Sequence, residues 1–177
     1  LLATNYSGNF LTYVDTGSYF LQMTVDPLWN VTQGNAGYSI NVDTLAVCCN
    51  DFGLTPTAII DDVSINYSAS QYRCGFDIPA WITLTNIGTS ILAGIVRYVP
   101  DDSMTFVSSI PAPDNISGDT LFFNFSNFFP GQTLTINLVY ELPLTPGLIL
   151  CSNTLASLFN GTTYQPFIEN LYCDTIT

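Results

Sequence analysis

Between Thr133 and Leu142 the chain alternates strictly. Leu134, Ile136, Leu138 and Tyr140 fall on one parity, and Thr133, Thr135, Asn137 and Val139 on the other. Successive side chains of a β-strand point to opposite faces, so this is the signature of a strand with one buried and one wet face. TLFFNFSN repeats it, with Leu121, Phe123 and Phe125 opposed to Asn124 and Ser126, and AWITLTN sets Ile82 and Leu84 against Trp81, Thr83 and Thr85. Weaker alternation predicts further strands at 9–14, 18–25, 37–48, 62–69, 91–99, 104–109, 148–159 and 167–173. No segment carries an amphipathic helical period over three turns.

Turn residues separate these runs at Asn86–Gly88, Pro100–Asp102, Pro111–Gly118, Pro130–Gly131 and Pro146–Gly147. Many short strands, turn-rich joints and no helix predict an all-β sandwich. The stretch NDFGLTPTAIIDD interrupts the periodicity, which restarts at Val63. The expected division is a small β unit over 1–55 and a sandwich over 60–177. Three or four strands bury little surface. The small unit is therefore expected either to pack on the sandwich or to have its remaining strands before residue 1, and the second is favoured because the chain opens in mid-pattern.

Composition changes this picture mainly by exclusion. Of 177 residues, 47% are hydrophobic and 9% charged, with 14 carboxylates, two arginines, no lysine and no histidine, for a net charge of −12. Nucleic-acid and anionic-membrane partners need clustered Lys and Arg, and none are clustered here. Histidine-based catalysis and histidine metal ligation are ruled out. No apolar stretch approaches the ~20 residues of a membrane span, so no insertion is expected. The opening LLATNYSGNF lacks the features of a signal peptide, and an export signal would lie outside this segment.

The five cysteines, Cys48, Cys49, Cys74, Cys151 and Cys173, lack zinc spacing. With a hydroxyl-rich, charge-poor surface they point to an oxidising compartment and one or two disulfides. If Cys48 and Cys49 lie on a strand they face opposite ways, so at most one enters a given core.

Asp15-Thr16-Gly17-Ser18 has the look of an aspartic-protease triplet. That chemistry needs two carboxylates sharing a proton; no second triplet occurs, and the segment reads as a turn between strands 9–14 and 18–25. Asp114, Asn115 and Asp119 make a short acidic loop that is a weak calcium candidate beside its plainer reading as solvated turn carboxylates, as are Asp61/Asp62 and Asp101/Asp102. Trp29, Trp81 and the tyrosines have the chemistry to stack on sugars, although core packing accounts for most of them. Asn5, Asn30, Asn66, Asn115, Asn124 and Asn160 each open an N-x-Ser/Thr triplet. There is no G-x-S-x-G, phosphate loop or Cys–His pair, so no catalytic residue and no cofactor is expected.

Residues 62–143, with WITLTNIGTS, MTFVSS, LFFNFSNF and PGQTLTINLVYEL in order, resemble the Ig-like repeat domains of very large bacterial surface proteins. SGNFLTYVDTGSYFLQM and the closing NDFGLTPT resemble the second half of a prealbumin-like, carboxypeptidase-regulatory type stalk domain, whose first strands are absent here. The pair is similar to spacer domains of Bacteroidota proteins exported by the type IX system. The resemblance implies an extracellular, cell-surface location and O-glycosylation at Asp-Ser/Thr-apolar triplets, here at Thr44, Ser103, Thr120 and Thr175.

The expected role is a non-catalytic structural or adhesive module of a surface protein, stalk or filament, polymerising by strand or edge complementation. Its partners would be neighbouring copies or domains of the same protein. The alternative is an adhesin domain that binds glycans or proteins through loops 86–90 and 111–119. Cys74 with Cys151 is the expected sandwich disulfide.

Overall fold

The computed structural model describes residue 4, residues 8–43 and residues 49–177. Every regular element among them is a strand, and all pairings are antiparallel. The chain divides into two compact units, Leu1–Ile59 and Ile60–Thr177.

In the first unit β1 (Gly17–Leu21) pairs with β3 (Tyr38–Val42), and β2 (Trp29–Gln33) with β4 (Gly53–Pro56), giving two two-stranded sheets. Tyr38 packs edge-on against Phe52, but no described residue of this unit is fully buried. The strand expected at 9–14 does not form. Leu11 and Tyr13 are 77% and 90% exposed, because alternation alone does not make a strand where no neighbouring ladder receives it. Asp15-Thr16-Gly17-Ser18 therefore is not a turn between two strands. It leads into β1, where Gly17 pairs with Val42, and the Asp15 carbonyl accepts a bond from the Tyr19 hydroxyl at 2.9 Å.

The second unit is a two-sheet sandwich. One sheet has the order β5 (Val63–Ala69), β6 (Asp77–Asn86), β11 (Thr133–Glu141), β8 (Thr105–Ile110). The other runs β13 (Tyr164–Thr175), β12 (Ile149–Phe159), β7 (Leu92–Val99), β10 (Thr120–Phe128), β9 (Asn115–Ser117). With β9 and β10 set aside, the order is that of an immunoglobulin constant domain, β5-β6-β11-β8 facing β13-β12-β7. The β9–β10 hairpin extends the second sheet beyond β7.

The alternation read from the sequence sorts side chains as expected. Ile82, Leu84, Ile136, Leu138, Leu121, Phe123 and Phe125 point inward into one core, while Trp81, Thr83, Thr85, Thr133 and Thr135 lie on the outer side. Tyrosines thread this core. Tyr67 stacks on Tyr98 at 5.4 Å between ring centres, Tyr98 meets Tyr140 at 5.6 Å, and Tyr172 packs against Tyr67 at 5.0 Å. Burial pushes the phenols of Tyr67, Tyr98 and Tyr140 well above their ordinary titration range. The Tyr98 hydroxyl lies 2.9 Å from Ser152 Oγ and 3.1 Å from the Tyr67 hydroxyl, whereas that of Tyr140 is buried without a protein partner.

One end of the sandwich is closed around Asn86, which is 1% exposed. Its Nδ2 donates to the carbonyls of Phe128 and Ser90, both at 2.8 Å, and its Oδ1 accepts from Gly88 N at 3.0 Å. Its backbone bonds Gln132 and Gly131, while Gly88 N and Thr89 N reach back to the carbonyls of Asp62 and Ile60. The approach at Gly88 is close enough that a Cβ would stand 2.3 Å from the Ile60 carbonyl oxygen, which restricts the position to glycine.

The disulfide joins Cys151 to Cys173, not to Cys74. The two face each other directly in the β12–β13 register, with Cα atoms 4.2 Å apart. Cys74 lies in the joint between β5 and β6 as a half-buried free thiol against the core. Closing a loop with a sequence separation of 22 stabilises the fold by about 3 kcal/mol on the chain-entropy model. Cys49 is exposed, and Cys48 lies outside the described residues.

Two measurements check this account. Asn86→Ala leaves two carbonyls and an amide without their side-chain partner in a buried site, and should lower unfolding free energy by about 2–4 kcal/mol, read from urea denaturation; a loss no larger than that of exposed Asn66→Ala contradicts it. Tyr98→Phe should cost about 1 kcal/mol, while Tyr140→Phe should be neutral or stabilising. The reverse order of the two would show that the hydroxyl bonding has been misassigned.

Candidate functional site

The register of the four-stranded sheet arranges its outer side chains in rows. Ser64, Thr85 and Thr133 lie across β5, β6 and β11, then Asn66, Thr83 and Thr135, then Ser68, Trp81, Asn137 and, on β8, Ile110. Pro79, Val139 and Ser108 follow, and Asp77, Glu141 and Thr105 end the face. The first three rows contain no ionisable group. Thr85 and Thr133 share a hydrogen bond between hydroxyls at 3.1 Å, and Asn137 Nδ2 donates to the Ile110 carbonyl at 3.4 Å. Trp81 is half-buried in the middle of this field, between Ser68 and Asn137. Such a face offers many neutral donors and acceptors and one indole surface. Its only carboxylates, Asp77 and Glu141, lie in the end row, away from Trp81.

Sequence reasoning put ligand contact elsewhere, at two loops. In the turn 86–90, Asn86, Gly88 and Thr89 are buried and their polar groups are committed to the chain itself; Ile87 alone is well exposed. Loop 111–119 is partly strand. Asn115 lies on β9 opposite Phe122, and Asp114 Oδ2 accepts from Asn124 N at 2.6 Å. Asp119 sits in the hairpin turn after Gly118. Among the described residues no group of three or more Cys, Asp or Glu side chains is placed to hold a metal ion.

Several turn carboxylates do more than face solvent. Asp101, between β7 and β8, accepts from Ser103 N at 3.0 Å and from Cys151 N on β12 at 3.0 Å. Partial desolvation acts to raise its pKa, but the backbone bonds from Cys151 and Ser103, together with the Ser103 side chain, outweigh it and hold the carboxyl below its ordinary value. Asp26 accepts from Leu28 N, and Asp61 from the Ser90 hydroxyl. A turn-forming Asp is visible in a sequence, whereas its bond to a strand fifty residues away is not.

The modification candidates are spread over the molecule. Asn30 is exposed on β2, Asn66 on β5, Asn115 on β9, Asn124 on β10, and Asn160 caps the turn after β12 through Thr162 N and Thr163 N. Ser103 and Thr175 are exposed and Thr120 is half-buried. Asn5 and Thr44 lie outside the described residues. Trp29 is half-buried at the start of β2, opposite Pro56.

No family model matches the chain, and no curated protein matches it. Two solved structures are similar to it in fold at 8% identity. AvmM, which catalyses macrocyclization in alchivemycin A biosynthesis, matches with a TM-score of 0.46 over 66% of this chain and 89% of its own. A cohesin module from a family 33 glycoside hydrolase of Clostridium perfringens matches with a TM-score of 0.41, over 67% of this chain and 98% of its own. Similarity at this level concerns the all-β fold alone, and a shared fold carries no activity with it.

The geometry of Asp101 gives a signed pH dependence. A carboxylate whose pKa is lowered on folding adds stability that is present above its unfolded pKa of about 3.9 and lost as pH falls through the folded value. Asp101→Asn should therefore lose less stability than the parent between pH 5 and pH 2.5, measured by urea midpoints. Parallel acid curves for the two proteins would show that the bonds to Cys151 and Ser103 do not favour the ionised form.

Proposed function

We propose that the chain is a non-catalytic structural and adhesive module of an extracellular surface protein, stalk or filament, joined to neighbouring copies by pairing of sheet edges. The observation that carries this reading is the outer edge of β8. This strand ends the four-stranded sheet and within its unit pairs only with β11. Its sequence, Thr-Phe-Val-Ser-Ser-Ile, has high β-propensity and no charge, proline or glycine. A register shift opposite Val139 and Tyr140 leaves Val107 unmatched and 48% exposed, and Ile110 is 73% exposed. An unpaired strand edge presents a row of backbone donors and acceptors, which proteins ordinarily guard with lysine, proline or inward charge. Apart from that bulge, β8 has none of these within it. An extended strand from a second molecule can add to such an edge through main-chain bonds.

The Cys151–Cys173 bridge supports an oxidising, extracellular setting. The twelve-residue β13 and eleven-residue β12 it joins supply a stiff sheet suited to a spacer. Surface glycosylation at exposed acceptors away from the β5–β6–β11 face, such as Asn30, Asn115, Asn124, Asn160, Ser103 and Thr175, fits the same setting.

Sedimentation equilibrium tests the proposal. The parent protein in about 150 mM salt, where repulsion between chains of charge −12 is screened within ~8 Å, should associate with rising concentration. Val107→Lys, which places a charge on the edge, should shift it to monomer with an unchanged urea midpoint. A parent chain that stays monomeric at millimolar concentration defeats the idea.

A further inference from the structure

We infer that the outer face of β5, β6 and β11 binds a neutral polysaccharide, with Trp81 as its stacking platform. This deepens the adhesive reading given above and rests on it, but it uses a different surface from the β8 edge.

Three features of the face select this occupant. The first is charge. In a chain with 14 carboxylates, the rows Ser64–Thr85–Thr133, Asn66–Thr83–Thr135 and Ser68–Trp81–Asn137 contain none, and the nearest acids on these strands, Asp77 and Glu141, lie together in the end row. An anionic polymer is repelled by the molecule as a whole, and a cationic one is drawn to the acidic turns. The neutral field matches an uncharged ligand. The second is the donor set. Hydroxyls and carboxamides each both donate and accept, as do the hydroxyls of a sugar, so either partner can adapt its pattern to the other. Antiparallel pairing sets them in a lattice of about 5 Å across strands and about 7 Å along them, a spacing comparable to a sugar ring. The third is Trp81. It is the only aromatic side chain in those rows, half-buried and therefore fixed in place, and an indole combines a broad apolar surface with a polar N–H. The axial C–H groups of a pyranose pack on such a surface while its equatorial hydroxyls meet the flanking Ser68, Asn137 and Thr83.

A second protein is a poorer fit. Interface cores are enriched in clustered aromatic and Met side chains and depleted in Ser, and here a lone indole is surrounded by hydroxyls. Rows that continue across three strands also suit an extended polymer better than a single sugar. Affinity would then come from repeated weak contacts along the chain.

Affinity electrophoresis in native gels tests the inference on the intact chain. Gels contain hydroxyethylcellulose, dextran, yeast mannan or galactomannan, with polygalacturonate as the anionic comparison. At least one neutral polymer should retard the parent, and polygalacturonate should not. Trp81→Ala should weaken retardation at least tenfold and Trp81→Phe less. Thr83→Val, which keeps the side-chain shape and removes a hydroxyl, should weaken it several-fold with an unchanged urea midpoint, so the test survives if Trp81→Ala misfolds. Val107→Lys should bind as the parent does, which separates this result from the fate of the edge-pairing proposal. Retardation by none of the neutral polymers overturns the inference. So does retardation that Trp81→Ala and Thr83→Val leave intact, or a loss of self-association in Trp81→Ala, which would assign the face to a second copy.

Discussion

The sandwich depends on one carboxamide. Asn86 ends β6, and from that buried position it fixes the last carbonyl of β10, the turn that opens β7 and, through Gly88 and Thr89, the chain entering β5. Strands of both sheets thus converge on one residue. Apolar burial would tolerate sliding between the sheets, because it has no direction. A buried carboxamide with directed bonds to three backbone groups does not. The rows of the outer face inherit their alignment from this constraint, since β6 carries both Asn86 and the residues Trp81, Thr83 and Thr85.

How much of this was legible in the sequence depends on whether the information was local. The parity of β6, β10 and β11 was, because period-two burial is written into neighbouring residues, and the core members Ile82, Leu84, Phe123 and Leu138 could be named from it. The same reasoning failed at 9–14, where the alternation is weaker and no ladder receives the segment among the described residues. It also missed β9, three residues inside a turn-rich loop, whose strand character comes wholly from pairing with β10. The disulfide is the clearest non-local case. Spacing says nothing about which cysteines will be opposite one another, and only the register of β12 on β13 selects Cys173.

The candidate face was half legible. The strands at 81–86 and 133–142 each showed a hydroxyl-rich side, with Trp81 on the parity opposite Ile82 and Leu84. That three such sides adjoin, so that scattered Thr, Ser and Asn become one uncharged field around an indole, follows from the order β5-β6-β11. The acidic residues changed meaning in the opposite direction. Read as solvated punctuation, Asp101, Asp61 and Asp114 turn out to accept bonds from distant chain segments. In a protein without lysine, carboxylates serve as anchors for backbone amides and hydroxyls, and ion pairing has little part in the design.

The bridge between Cys151 and Cys173 also decides how the sandwich responds to a pull on its C-terminal end. Tension arriving from beyond Cys173 can peel only the last few residues of β13 before it meets a covalent bond. From there the pull enters β12, which is flanked on its other side by β7 in the interior of the five-stranded sheet. The remainder of β13, from Tyr164 to Tyr172, is bypassed and stays paired while its terminus is under strain. The edge strand is thereby converted from the part of the sandwich most easily unzipped into a short leash, and the chain from Ser152 to Tyr172 is closed off from extension.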